Sequence, residues 1–308
     1  MARDTAAAAA AAPQPVRLGL TENWRQFVLL LVVNACVGGM VGLERTVVPL
    51  IGAREFHLAD TALITSFIAS FGLAKALTNL VSGSLADRFG RKPVLLAGWL
   101  IGLPVPVLIM AAPSWGWIVA ANALLGINQG LAWSMTVNMK IDLVGPQRRG
   151  LALGLNEFSG YAAVGLTAFL TGLIATRYGL RPAPFYLGLV YAAAGLLLSL
   201  LLVRDTGAHL ALERRLQARP AASATSLGFG RIFARVSLTD RRLFAASQAG
   251  LVNNLNDGMS WGILPLFFAA HGLGIEQIGV LKAAYPLWSG AWGRSSPARS
   301  ATGWAGAA

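Results

Sequence analysis

The sequence predicts an all-α protein that spans a membrane several times. Of its 308 residues, 55% are hydrophobic and only 12% are charged, whereas about a quarter of the residues of a typical soluble domain are charged. The apolar residues form long segments, each close to the roughly 20 residues that cross a bilayer core as a helix. One water-soluble core cannot bury this much apolar side chain, so a polytopic membrane protein is the fold class that fits.

Seven apolar segments are predicted to be transmembrane helices, and an eighth begins near Ile275. The seven cover residues 26–50, 61–82, 93–111, 115–139, 150–174, 183–203 and 243–269. A long basic connection follows the sixth segment, which indicates a chain built as two successive bundles. The predicted regions are a disordered cytoplasmic tail (1–25), a six-helix bundle (26–203), a basic linker (204–242), the start of a second bundle (243–287) and a tail of different character (288–308).

Lys and Arg residues are concentrated in the N-terminal tail and in the connections after the second, fourth and sixth predicted helices. Cations collect on the cytoplasmic side of membrane proteins, so the N-terminus and the linker 204–242 are predicted to be cytoplasmic. The same rule accounts for the net charge of +12 without a nucleic-acid partner. The predicted location is the plasma (inner) membrane of a bacterium.

Several function classes are excluded by residues that the sequence lacks. Cys36 is the single cysteine, so a disulfide framework and a thiolate metal site are not possible. The three histidines have no metal-ligand or catalytic-triad spacing, and no GxxxxGK[ST] phosphate loop occurs. We therefore expect no enzyme, no metal, no cofactor and no obligate protein partner. An ion gradient, with protons as the first candidate, remains as a source of energy.

The connection after the second predicted helix contains a motif, GSLADRFGRKP, at residues 83–93. It resembles the signature loop of the major facilitator superfamily, GxLaDrxGrkxxl, at the position where that family has it. The matching residues are Gly83, Leu85, Asp87, Arg88, Gly90, Arg91 and Lys92. The resemblance covers about residues 24–287 and implies two six-helix bundles around a central cavity, with alternating access by one bundle rocking against the other. A generic basic turn between two helices is the alternative interpretation.

Two departures limit the resemblance. The fourth predicted helix has the Gln129-Gly130 end of the family's RxxQG element, but Gly126 stands in place of the arginine. The fifth predicted helix lacks the GPxxGG run of the drug/proton antiporters. Both departures argue against a standard drug-efflux assignment.

The residues after Pro286 lose the apolar character of an eighth helix. With GC-rich codons, reading one nucleotide earlier turns this tail into an approximate second copy of the signature loop. We therefore predict a frame shift within the eighth helix, so that about seven or eight of twelve expected transmembrane helices are present and the second bundle is incomplete. A natural short C-terminus is the alternative.

Polar residues inside the predicted helices are candidates for contact with substrate or protons, since such residues tend to face a cavity or another helix. Asn253, Asn256 and Asp257 share one face of the seventh helix, and Asp257 lies about 21 Å along it. Helix packing is the alternative role. The other candidates are Glu157 and Tyr161 in the fifth helix and Asn122 and Gln129 in the fourth. A salt bridge to basic loops is the alternative for Glu157, and interhelical hydrogen bonds are the alternative for the two amides.

Five further residues are predicted to form ion pairs. Glu44 and Arg45 lie near the outer end of the first helix, where a pair with another helix is expected. Lys75 either extends its ammonium group to the inner surface or meets Glu157. Asp142 and Arg149 are expected in pairs at a gate or loop.

The sequence thus predicts a secondary transporter that moves a small-molecule substrate across a lipid bilayer. Proton coupling and efflux are the favoured details. A non-transporting truncated fragment and a seven-span, receptor-like membrane protein are the alternatives.

Overall fold

The computed structural model describes residues 16–217 and 228–291. Within these residues all regular secondary structure is helical, and no strand occurs. The α-helices of this part are, in chain order, α1 (Trp24–Gly42), α2 (Glu44–Arg54), α3 (Thr61–Phe89), α4 (Arg91–Gly102), α5 (Val105–Met110), α6 (Trp115–Val144), α7 (Arg149–Tyr178), α8 (Tyr186–Leu201), α9 (Gly207–Gln217), α10 (Phe229–Ala234), α11 (Arg241–Ala270) and α12 (Ile275–Ala291). The predicted fold class is confirmed.

Five segments of the described chain are long and apolar enough to cross a membrane: Trp24–Arg54, Thr61–Phe89, Arg91–Met110, Pro146–Tyr178 and Ala183–Leu201. They match the first, second, third, fifth and sixth predicted helices. The fourth and seventh correspond to α6 and α11, which are 30 residues each. Their Asn and Gln residues dilute the apolar content, although about 45 Å of helix is ample for a bilayer core.

The first span is one helical path with an interruption at Leu43. This residue keeps helical backbone angles, with φ −50° and ψ −38°, so α2 continues from α1. Pro49 lies inside α2 and has no N–H to donate to the carbonyl of Arg45. The third span is divided in a similar way into α4 and α5, next to Pro104 and Pro106.

Helices α1 and α6 form the centre of the first six spans. α1 contacts α6, α7 and α8, while α6 contacts α3, α4 and α5. Asn34 of α1 is fully buried where three helices meet. Its Nδ2 donates to the carbonyl of Asn156 at 2.7 Å and its Oδ1 accepts from Thr136 Oγ1 at 2.8 Å. This satisfied amide links α1, α6 and α7 inside the bundle.

Helices α11 and α12 lie against this bundle. α11 contacts α2 and α3, whereas α12 contacts α7, α2 and α11. Gly172 of α7 and Gly279 of α12 meet closely, because a Cβ atom built on Gly172 would lie 2.9 Å from the Cα of Gly279. The second predicted bundle therefore begins in direct contact with the first.

The outer surface of the helices is apolar. On α8, Val190, Leu197 and Leu201 are exposed by 61%, 53% and 70% of their area. Such a surface suits contact with lipid, where apolar side chains need no partner.

The described ends of the chain differ in detail from the predicted regions. Residues 17–23 of the predicted tail contact the end of α6: Gly19 N donates to the carbonyl of Leu143 at 2.9 Å and Asn23 Nδ2 to the same oxygen at 3.2 Å. The ordered chain therefore begins before residue 26. Residues 1–15, 218–227 and 292–308 lie outside the described residues, so the disorder predicted for the first fifteen and the frame shift remain predictions. α12 continues to Ala291, beyond the predicted limit of 287.

Candidate functional site

A cavity of about 610 Å³ lies between the first bundle and α11. It is bounded by residues of α1, α2, α3, α6, α7 and α11. Its polar lining consists of Arg45, Lys75, Asn79, Gln129, Glu157, Asn253, Asn254 and Asp257. Its aromatic lining consists of Phe71, Trp133, Tyr161 and Trp261. Such a mixture of rings and a few convergent polar groups is typical of a small-molecule site.

Arg45 and Asp257 form an ion pair across this cavity. Arg45 Nη1 donates to Asp257 Oδ1 and Nη2 donates to Oδ2, both at 2.7 Å. Their side chains are only 7% and 18% exposed, and the guanidinium lies 4.6 Å from the ring centroid of Trp261. The planar fork of arginine matches a carboxylate in this two-bond arrangement. This cavity pair joins α2 to α11, and hence the first predicted bundle to the second.

Glu157 is held inside the cavity by hydrogen bonds. Its Oε1 accepts from Trp133 Nε1 and from Asn156 Nδ2, both at 3.1 Å. Tyr161, one turn further along α7, places its ring edge-on to Trp133 with centroids 6.0 Å apart. Glu157 and Tyr161 therefore line the cavity together, as expected for neighbours on one helix face.

Lys75 faces the cavity from α3. Its Nζ lies 5.6 Å from the ring centroid of Phe71 and 5.9 Å from that of Trp133. In residues 16–217 and 228–291 no carboxylate lies within 4.0 Å of this nitrogen, although Asp257 and Glu157 interact with it electrostatically from a longer distance. The side chain points between two rings, which keeps the charge in the cavity instead of at the inner surface.

The predicted amide candidates divide into two groups. Gln129 and Asn253 line the cavity, and Gln129 Nε2 donates to the carbonyl of Val37 at 2.9 Å. Asn256 is exposed and does not line it. At about 100° per residue, the lining face of α11 extends from Asn253 through Asp257 to Asn254, and Asn256 lies beyond the other edge of this face.

Asn122 lies behind the cavity, beside Glu44. Asn122 Nδ2 donates to the carbonyl of Ile118 at 3.0 Å, and the residue is fully buried. Glu44 is 1% exposed, its carboxylate faces the side chain of Asn122, and among the described residues it makes no ion pair. The predicted ion pair of Glu44 is therefore absent from this part of the chain, because Arg45, the neighbouring cation, turns to Asp257.

The signature residues form a second polar region at the ends of α3 and α4. Gly83, Leu85, Asp87 and Arg88 belong to the last turns of α3, while Arg91 and Lys92 begin α4. Gly90 between the helices has φ +91°, a conformation that glycine adopts without steric cost. Gly83 lies inside α3, and a Cβ atom there would meet nothing within 4 Å. Neither a turn nor a close helix contact therefore requires a glycine at this position.

Arg91 connects these helices to α6. Its Nε donates to Asp142 Oδ2 at 3.1 Å, and its Nη1 donates to the carbonyl of Ala86 at 3.1 Å and to Asp87 Oδ1 at 3.2 Å. Thr206 Oγ1 also donates to Asp142 Oδ2, at 2.7 Å. We call Asp87, Arg91, Asp142, Asp205 and Thr206 the signature network.

The segment after α8 completes the signature network. Asp205 Oδ2 accepts from the backbone N–H of Lys92 at 2.8 Å, and Lys92 Nζ donates to the carbonyl of Leu200 at 2.8 Å. Arg149 pairs with Glu213 of α9. Asp142 and Arg149 thus make ion pairs, but with Arg91 and Glu213 as their partners.

Several residues of both regions were not predicted from the sequence. The linker was interpreted through its cations alone, although it also contains Asp205, Thr206 and Glu213. Trp133 and Trp261 were not singled out, although aromatic residues beside Asn, Gln and Asp in a predicted transmembrane helix were a usable signal. Within the described residues, no cluster of three or more His, Cys, Asp or Glu side chains could hold a metal ion.

Known proteins resemble this chain in sequence and in fold. Multidrug resistance protein D of Escherichia coli (strain K12) is 26% identical over 174 residues, which cover 56% of this chain and 43% of that protein. Inner membrane transport protein YajR of the same organism is 28% identical over 153 residues, or 49% of this chain and 33% of that protein. The chain therefore spans less than half the length of these curated relatives.

The crystal structure of a D-xylose-proton symporter matches with a TM-score of 0.55 and 15% identity, covering 86% of this chain and 67% of that one. At this identity the likeness shows the fold alone. The sequence profile of the Major Facilitator Superfamily matches residues 21–304, which is most of the chain. The family and these relatives are transporters of multi-pass membrane architecture and not enzymes. The profile match, the helix order and the placement of the signature residues together establish that the chain belongs to the major facilitator superfamily.

Proposed function

We propose that the protein transports a small molecule across the plasma membrane by alternating access, driven by protons and in the direction of efflux. The observation that carries the proposal is the cavity, which is bounded by both predicted bundles and crossed by the Arg45–Asp257 pair. A site between two bundles becomes accessible from either side when one bundle rocks against the other. The N-terminus and the linker are then cytoplasmic, in keeping with their cations.

Asp257 and Glu157 are the proposed carriers of the coupling proton. A proton on Asp257 would remove the charge that holds Arg45 and so weaken a contact between α2 and α11. Proton binding and bundle movement would then be linked through one pair. The name of one relative, multidrug resistance protein D, favours export, and that of the D-xylose-proton symporter favours proton coupling.

The test is flux in proteoliposomes that contain a pH-sensitive dye. Ethidium, D-xylose and 2-naphthoate serve as first probes, so that a cation, a neutral sugar and an anion are all covered, with and without an imposed proton gradient. Proton movement that depends on a probe and on the gradient is the expected result. It should fall at least about ten-fold in Asp257→Asn and in Glu157→Gln, since removing one partner of a buried charge-assisted contact costs about 1.5–3 kcal/mol. The surface variant Arg177→Gln should keep the wild-type rate.

The 308-residue chain is compared with the product of the predicted alternative reading frame. Flux in the second product alone would favour the non-transporting fragment, and flux in neither product with any probe would overturn the transporter proposal. Unchanged flux in Asp257→Asn and Glu157→Gln would remove these two residues from the coupling mechanism.

A further inference from the structure

We infer that the cavity binds a small organic anion whose apolar part is aromatic or of similar size. This inference rests on the proposed transport function and specifies its substrate class. It starts from Lys75, a cation at the midpoint of α3 (Thr61–Phe89) and therefore at membrane depth.

The ammonium group of Lys75 makes no ion pair within 4.0 Å in residues 16–217 and 228–291, and the carboxylates of Asp257 and Glu157 attract it only from a longer distance. Its near neighbours are the rings of Phe71 and Trp133, at 5.6 and 5.9 Å from their centroids. Ring faces attract a cation but do not neutralise it. A charged group at this depth is costly and normally pairs, so an anionic group of a ligand is the partner that suits this position.

The two carboxylates that line the cavity are already engaged. Asp257 receives both N–H groups of the Arg45 fork, and Glu157 Oε1 receives the N–H groups of Trp133 and Asn156. These contacts direct both carboxylates toward other donors, so that neither makes a direct ion pair with Lys75.

Two more lysines lie behind the cavity walls and are held by uncharged oxygens. Lys140 Nζ donates to the carbonyl of Leu30 at 3.1 Å, and Lys282 Nζ donates to Ser260 Oγ at 2.8 Å. Both are at most 3% exposed. The cations in and around the cavity are Arg45, Lys75, Lys140 and Lys282, and the carboxylates are Glu44, Glu157 and Asp257. The charged groups that line the cavity itself, Arg45 and Lys75 against Glu157 and Asp257, balance in formal charge, so the preference for an anion rests on the position of Lys75 and not on a net potential.

Aromatic rings define the second half of the ligand. Phe71 and Trp261 meet edge to face with centroids 5.0 Å apart, and Trp133 and Tyr161 do so at 6.0 Å. Rings of a ligand pack well against such edges and faces. The anionic group then lies beside Lys75, where Phe71 and Trp133 already flank the ammonium.

The experiment compares probes that share a ring system and carry an anionic, a neutral or a cationic polar group. Binding of 2-naphthoate, 2-naphthalenemethanol and 2-naphthylmethylammonium, and of the corresponding benzene compounds, is measured by calorimetry on the full chain in lipid nanodiscs. We expect the anion to bind at least about ten-fold more tightly than the neutral alcohol, as for a charge-assisted hydrogen bond. Lys75→Gln should remove this preference, whereas Lys75→Arg should retain it. Arg177→Gln, which removes an exposed cation outside the cavity lining, is the matched control.

Three results would overturn the inference: equal affinity for the three charges, tighter binding of the ammonium probe, or an anion preference that survives in Lys75→Gln. Failure of every probe to bind would overturn it as well. The flux assay separates this failure from that of the proposed function, because flux of ethidium or D-xylose without anion preference would leave transport standing.

Discussion

The signature network and the cavity pair are both built from arginine and aspartate, yet they hold the molecule together differently. In the signature network, Arg91 has three hydrogen-bond partners, and Asp142 receives donors from α4 and from the start of the linker. In the cavity, Arg45 of α2 donates two hydrogen bonds to Asp257 of α11. The first arrangement fixes helices within one bundle, whereas the second is one ion pair between the first bundle and α11, in addition to the packing of α12 against α7.

This difference suits a protein with two bundles that move as bodies. Rocking requires that each bundle stay rigid while the contacts between bundles exchange. Redundant partners give the first property, since the loss of one hydrogen bond leaves the others. A single ion pair at the cavity suits the exchange of contacts between bundles, because one proton or one ligand charge can compete for it.

The largest effect is expected from Asp142→Ala. The side chains of Arg91 and Asp142 are 11% and 6% exposed, so the variant leaves a mostly buried guanidinium without its main counter-charge. Breaking such a buried pair costs about 3 kcal/mol or more. The free energy of unfolding should fall by this amount in mixed-micelle denaturation followed by tryptophan fluorescence.

The matched control is Asp142→Asn, which keeps an oxygen for Thr206 and loses only the charge. It should be destabilised by clearly less than Asp142→Ala. A loss below about 1 kcal/mol in Asp142→Ala, the level of an exposed ion pair, would show that the signature network does not hold the first bundle together.

A moderate effect is expected from Gly172→Ala, at the contact of α7 with α12. The new Cβ atom would lie 2.9 Å from the Cα of Gly279, and backbone atoms cannot move aside as a side-chain tip can. Overpacking of this kind costs about 1–3 kcal/mol. We expect α12 to shift away from α7, measured as a longer distance between spin labels on the two helices.

Gly83→Ala is the control for this substitution, since a Cβ atom there meets nothing within 4 Å. It lies inside α3, where alanine is the better helix former by up to about 1 kcal/mol, so stability should be unchanged or higher. Equal spin-label distances in Gly172→Ala and the wild type would mean that the second bundle is not attached through this contact.

Most of the helices could be predicted from the sequence because five of the spans are long apolar segments with polar ends. The predicted helix starts at residues 61 and 275 coincide with the starts of α3 and α12, and α11 begins two residues before the predicted start at 243. The signature residues could be placed at the junction of two spans for the same reason.

The partners inside the cavity could not be predicted. Arg45 and Asp257 are 212 residues apart, and each was a candidate by itself, but which helices meet depends on how all the spans pack. The direction of Lys75 depends on the rings of Phe71 and Trp133, which belong to different helices. The face of α11 was predicted with Asn256 on it, because spacing alone does not say which side of a polar stripe meets the neighbours.

The smallest effect concerns His209 of α9, on the side of the molecule that holds the signature network. Its Nε2 lies 3.2 Å from Asn23 Oδ1. Burial lowers the pKa of His209 below its ordinary 6.5, and the nearby Asp142 carboxylate opposes this shift. The folded state therefore binds a proton less readily than the unfolded chain, so stability is unaffected above the ordinary pKa and decreases as the pH falls through it. We expect amide hydrogen exchange of α9, corrected for its intrinsic pH dependence, to be faster at about pH 5 than at about pH 7.5.

His209→Gln keeps a donor for Asn23 and has no charge to gain, so α9 should then exchange equally at both pH values. A pH effect of the same size in His209→Gln would assign it to the carboxylates of the signature network instead of the imidazole.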